Sequence, residues 1–159
     1  MRHPDGVAAI LSGRSEITDH FTSPPFMYQE LKDKRVHKIL SSYDVLGGPS
    51  TFNCLWARAS FRDKNPKTYK AVVAALSEAM KIINADKNAA AKVYIKQTKS
   101  KLDPAFVKKI VNDPEITFTM TPKNTMKYAR FMHKVGAIKV LPASWKDYFF
   151  PEIYNLPGS

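Results

Sequence analysis

Up to residue 46 the apolar positions come in short bursts separated by turn chemistry. Val7, Ala8, Ala9, Ile10 and Leu11 form one burst that stops at Ser12-Gly13, the pattern of a short helix ended by a left-handed glycine. Residues 16–21 alternate polar and apolar, as a strand does. Ser23-Pro24-Pro25 then predicts a helix capped by Ser23, with the prolines in its first turn and Phe26, Met27, Tyr28 and Leu31 following. Residues 36–41, with Val36, Ile39 and Leu40, predict a second short strand, and Gly47-Gly48-Pro49 predicts a break. Helix, strand, helix, strand is the grammar of an α/β sheet.

After the break the period lengthens. Residues 51–60 predict a longer strand, and Asn65-Pro66 opens a helix with Asn65 as its N-cap. Tyr69, Val72, Val73, Leu76, Met80 and Ile83 recur at spacings of three and four and form its apolar face. A second helix covers 89–96, and Asp103-Pro104 caps a third that carries Phe106, Val107, Ile110 and Val111. Residues 116–120 read as a short extended piece. Thr121-Pro122 starts a fourth helix with the stripe Tyr128, Phe131, Met132 and Val135, ended by Gly136. The aromatic-rich tail, 145–154, is expected to lie on the body as a short helix and coil. The part before the break is too small to bury a sheet on both faces by itself, so it calls for sheet from elsewhere.

Composition narrows the class. Hydrophobic residues at 44% with only 6 Gly describe a globular chain with a core. No apolar run reaches membrane-spanning length, and the N-terminal residues show no secretory leader. The single cysteine, Cys54, sits in the apolar run Phe52-Asn53-Cys54-Leu55-Trp56 and is expected to be a buried structural thiol. Lys and Arg number 25 against 14 Asp and Glu, a net +11. Such a balance suits nucleic acid, an anionic surface or an anionic small ligand. The lysines, from Lys67 to Lys109, are scattered among apolar helix positions and read as a solvated outer face. A small basic helical nucleic-acid-binding protein is therefore the alternative reading, with Lys92 to Lys109 as its footprint.

Several runs in order carry a resemblance. They are Ala8-Ala9-Ile10-Leu11-Ser12-Gly13 with Glu16-Ile17-Thr18-Asp19, then His20-Phe21-Thr22-Ser23-Pro24-Pro25-Phe26, then Asn65-Pro66-Lys67-Thr68-Tyr69. Tyr128-Ala129-Arg130-Phe131-Met132-His133-Lys134-Val135-Gly136 and Ser144-Trp145-Lys146-Asp147-Tyr148-Phe149-Phe150-Pro151 complete the series. Together they resemble the periplasmic substrate-binding proteins of ABC importers, of the nitrate/sulfonate/taurine and thiamine-precursor type. The resemblance runs from about Gly6 to Ser159 and implies a partial type II periplasmic-binding-protein-like α/β fold, the C-terminal half of a two-lobed receptor. On that reading 1–46 is the end of lobe two, 47–53 the hinge, and 54–159 the return into lobe one with terminal helices. It further implies a periplasmic location for the full-length form, a small anionic or heteroaromatic solute, and ABC permease subunits as partners, with no nucleic acid. The chain itself is then a truncated form; the third reading is a fragment without autonomous function.

The resemblance makes 20–26 the cleft loop and assigns ligand contact to His20, Phe21, Thr22, Ser23 and Phe26. Thr22 and Ser23 offer hydroxyls and main-chain donors at a helix start, which favour anionic groups. Phe21 or Phe26 can stack on a planar ligand. A structural histidine and a plain helix cap are the other readings of His20 and Ser23. Ser50, Thr51 and Asn53 at the hinge are second candidates, with turn and strand hydrogen bonding as the other reading. His3, His20, His37 and His133 show none of the spacings that metal sites use. No nucleophile elbow or phosphate-cradling loop is present, and Asp44 and Asp147 read as cap residues. The expectation is a non-enzyme without cofactor or metal.

Overall fold

The computed structural model describes residues 1–159. The chain contains eight α-helices in the order α1 (His3–Ser12), α2 (Phe26–Glu30), α3 (Ser42–Leu46), α4 (Ala59–Lys64), α5 (Pro66–Ala85), α6 (Lys87–Thr98), α7 (Pro104–Val111) and α8 (Thr125–Lys134). Two 3-10 turns follow at Trp145–Asp147 and Pro151–Ile153, and there is no strand. The expected α/β sheet is thus overturned: the protein is all-helical, and the periplasmic-binding-protein-like fold is not what this chain forms.

The reason lies in the backbone. A strand leaves its N–H and C=O groups open until a neighbour pairs with them, whereas a helix closes its own. Residues 16–21, 37–40 and 52–57 have the composition of strands but make no main-chain hydrogen bond to another extended segment. At 116–120 side chains take the place of a partner strand. Lys87 Nζ donates to the Ile116 carbonyl at 3.3 Å and Asn84 Nδ2 to the Phe118 carbonyl at 2.8 Å.

Two compact units are built from discontinuous segments. The first comprises Met1–Leu40 and Lys87–Ile116, the second Ser41–Asp86 and Thr117–Ser159. In the first unit α6 packs on α7 and α1 on α2. Ala91, Phe106, Val107 and Ile110 are its buried apolar residues, and Lys32 Nζ lies 3.5 Å from the Phe106 ring centre. The face expected for α7 is the one that is buried. Its cap is also as read: the Asp103 carboxylate accepts the Phe106 N–H at 2.8 Å.

In the second unit the hydrogen-bonding groups decide which face of α8 turns inward. Thr125 donates from both its N–H and its hydroxyl to the Ser159 carbonyl, at 2.7 and 2.8 Å, and accepts the Tyr148 hydroxyl at 2.8 Å. Thr125 and Ala129 are consequently buried, and Tyr128, Phe131, Met132 and Val135, expected as the core stripe, face solvent. Trp145 is buried in the tail, edge-on to Phe149 and Tyr154. Asp44 and Asp147 each close a capping box, with Ser41 and Ser144. Cys54, expected inside, is exposed.

The core is thin. Two separate compact bodies of half this mass would together expose roughly 9,700 Å², whereas the chain exposes 11812 Å². No helix is long and apolar enough to cross a membrane.

With so little apolar burial, single caps weigh more. Asp103→Ala removes the only side-chain acceptor at the start of α7 and should cost about 1 kcal/mol. Urea unfolding followed by circular dichroism reads this as a lower midpoint at an unchanged slope.

Candidate functional site

The loop expected to contact a ligand connects α1 to α2, and its side chains converge on the start of α1. A hydrogen bond of 2.6 Å joins His20 Nδ1 to Glu30 Oε1 at the last residue of α2. Both side chains are almost fully withdrawn from solvent, at 10% and 7% exposure. A charged or polar group costs free energy on burial unless it is paired, so each is held by the other. The His20 ring lies against Gly6, where a Cβ would fall 2.5 Å from its Cε1 and Nε2 atoms. Glycine at this helix position therefore makes room for the imidazole.

His3 extends the cluster. Its Nδ1 is 3.0 Å from Thr22 Oγ1, and its ring centre is 5.6 Å from that of His20. Phe26 stacks on the other side, at 5.3 Å and an interplanar angle of 23°. Five groups therefore meet here: two imidazoles, a carboxylate, a hydroxyl and a phenyl ring. The Nε2 atoms of His3 and His20 make no hydrogen bond to protein.

Of the residues singled out in the sequence, His20, Thr22 and Phe26 come together in this way. Phe21 points away at 91% exposure, without a ring contact. Ser23 does not cap with its hydroxyl. Its carbonyl accepts the N–H groups of Phe26 and Met27 at 2.9 and 3.3 Å, and the helix starts after the prolines, at Phe26. Ser50, Thr51 and Asn53 belong to the other unit. There Thr51 is tied to Lys123, donating from its N–H at 2.9 Å and accepting at its hydroxyl at 2.7 Å, while Asn53 is exposed.

His3 and Glu30 were not read from the sequence as members of the site. Glu30 lies ten residues from His20, at a helix end that the proline positions locate only approximately, and nothing local marks it as a partner. A second feature missed is an open depression of about 350 Å³ beside α2, lined by Tyr28, Leu31, Lys38, Asp113, Pro114 and Glu115. Lys38 Nζ and Glu115 Oε2 stand 3.9 Å apart there. The Glu115 N–H, followed by the Tyr28 hydroxyl, holds the Asp113 carboxyl below the usual carboxylate range. Nearby, Arg35 hydrogen-bonds the Asp33 carboxylate and lowers its pKa to about 2. Arg35 also donates to the Leu11 carbonyl at 2.9 Å, placing a cation at the C-terminal end of α1.

No family model, no curated protein and no solved structure matches the chain. No group of three or more His, Cys, Asp or Glu side chains has the arrangement of a metal site.

Two outcomes follow from this geometry. His20→Ala strands the buried Glu30 carboxylate and should cost about 2–3 kcal/mol. Gly6→Ala should be destabilising by less, because better helix propensity offsets about 1 kcal/mol of the ring's displacement. Urea titrations of the two variants check the order. Asp33 and Asp113 have folded values below their unfolded ones. Their stabilisation is therefore fully present above about pH 4 and is lost as pH falls through the folded values, which for Asp33 is about 2. An acid titration should show this loss, and Asp113→Asn should reduce its size.

Proposed function

We propose that the chain serves the capture of a small anionic or heteroaromatic solute for an ABC importer, in the periplasm, through the 20–26 loop and the groups gathered around it. The observation that carries this reading is the meeting of His20, Thr22 and Phe26 with His3 and Glu30 at one end of α1. In the tautomer whose Nδ1 accepts from the Thr22 hydroxyl, the His3 Nε2–H can donate to a sulfonate, nitrate or phosphate oxygen. The resemblance of several sequence runs to solute receptors of the nitrate, sulfonate, taurine and thiamine-precursor type motivates the choice of solutes, while the fold that it implies is not formed. Delivery to permease subunits belongs to it as well.

The alternative of a nucleic-acid-binding protein gains little from the charge. Basic residues outnumber acidic ones 13 to 8 in the first unit and 12 to 6 in the second. A nucleic-acid footprint concentrates cations on one surface, and this balance is almost evenly divided.

Calorimetry with taurine, an alkanesulfonate, nitrate and a pyrimidine thiamine precursor tests the proposal. The titrations use the chain itself and the product of the whole open reading frame that encodes it. One of the four should bind, and Thr22→Val, which removes the hydroxyl 3.0 Å from His3 Nδ1, should weaken it about tenfold while leaving the unfolding midpoint nearly unchanged, since that pair is exposed. Absence of heat with all four ligands in both proteins would sink the reading. So would a strongly salt-dependent affinity for a DNA or RNA oligonucleotide alone.

A further inference from the structure

The longest stretch without charge runs from Val45 to Ala57. Within it, 52–57 makes no main-chain hydrogen bond, while Phe52 is 76% exposed, Leu55 71% and Trp56 84%. Open amides and carbonyls beside exposed large apolar side chains are the features of an unpaired strand edge, which recruits another strand. We infer that this segment pairs with the same segment of a second copy of the chain, antiparallel and about a two-fold axis through Cys54.

The choice of a second copy rests on self-complementarity and charge. Side chains alternate along a strand, so Phe52, Cys54 and Trp56 share one face. Antiparallel pairing centred on Cys54 sets Phe52 opposite Trp56 of the second copy and Trp56 opposite its Phe52, two aromatic cross-strand pairs. Asn53 and Leu55 then exchange the ladder bonds, twice by symmetry. Thr51 is engaged by Lys123 and ends the ladder on one side. On the other side α4 begins at Ala59, with Arg58 as its N-cap.

A chain of net +11 repels its copies wherever basic groups face each other, and this run carries none. Pairing covers the facing edges of the two aromatic rings of each copy together with the strand backbone, a contact of the small size that weak, transient dimers have. A foreign strand would satisfy the ladder equally well but would not place equivalent aromatic residues across from each other without a matching sequence.

Cys54 reports the register. At a non-hydrogen-bonded antiparallel pair the Cα atoms are about 4.5 Å apart, within disulfide range. Diamide oxidises the two thiols to one disulfide bond and itself takes up the two hydrogens released.

Sedimentation of the reduced 159-residue chain at roughly 1–100 µM should resolve a monomer–dimer equilibrium. Diamide should convert the dimer to a disulfide-linked species across Cys54, a product lost in Cys54→Ser, which still dimerises when reduced. Trp56→Lys places like charges in the pairing face and should weaken dimerisation about tenfold or more. Because Trp56 is exposed, its circular dichroism and unfolding midpoint should be unchanged, which separates lost pairing from lost folding. Four outcomes overturn the inference: a monomer throughout the range, open-ended assembly in place of a dimer, a dimer indifferent to Trp56→Lys, or a dimer whose Cys54 thiols do not cross-link. The result is independent of whether a solute binds.

Discussion

Every main-chain amide and carbonyl must be paired or remain in water, and this requirement divides the chain into what folds and what stays open. The eight helices meet it internally, and the starts of α3, α7 and the 3-10 turn at Trp145–Asp147 are closed by short-range devices. Ser41 with Asp44, Ser144 with Asp147, and the Asp103 carboxylate each satisfy donors that a helix start leaves free. Segments such as 16–21 and 52–57 are rich in strand-forming residues but have no strand beside them. They stay at the surface, where water completes their hydrogen bonding, and their apolar side chains stay there too. The same rule accounts for Phe21, Ile39, Phe52 and Trp56, exposed large residues that all lie on unpaired runs, while α5, α6 and α8 expose others such as Ile82, Val93 and Phe131.

Where the apolar core is thin, polar contacts take over the positioning. In the first unit the His20–Glu30 pair joins the loop after α1 to the end of α2, and Gly6 lets α1 approach it closely. In the second, the Ser159 carbonyl and hydroxyl bind the start of α8, and the Ser159 N–H donates to the Pro122 carbonyl at 3.0 Å. Gly158 lies so near the Trp145 ring that a Cβ would fall 2.6 Å from it, so the tail has room only for glycine there. Paired buried groups of this kind stabilise modestly but are costly to break, and they favour one arrangement over its neighbours.

Local signals were legible and non-local ones were not. The left-handed stop at Gly13, the Asp103 cap, the Asp44 and Asp147 turns and the buried face of α7 depend on residues within four positions of one another, and all stand as read. The sheet was misread because strand composition was taken for strand pairing; composition says that a segment can pair, but a partner must exist. The α8 stripe was misread for a related reason. Hydropathy favoured Tyr128 and Phe131, but Thr125 is drawn inward by Ser159 and Tyr148, which are distant in sequence. Of the site, His20, Thr22 and Phe26 were legible from the loop they share. Their partners His3 and Glu30 were not, since the contacts arise only when α1 and α2 pack together.

Charge then bears on where such a chain can be touched. A positive balance shared almost equally by two units opposes contact between copies broadly. Its effect is selective only where charge is missing. The uncharged 45–57 run contains the open backbone of 52–57 and the most exposed tryptophan, so weak repulsion coincides there with a drive to bury surface. The His20 cluster is different: its carboxylate is engaged by His20 and its hydroxyl by His3, so what is left over there belongs to side chains. One region therefore suits an extended backbone and the other a compact polar ligand, and the difference follows from whether main-chain or side-chain groups were left without partners.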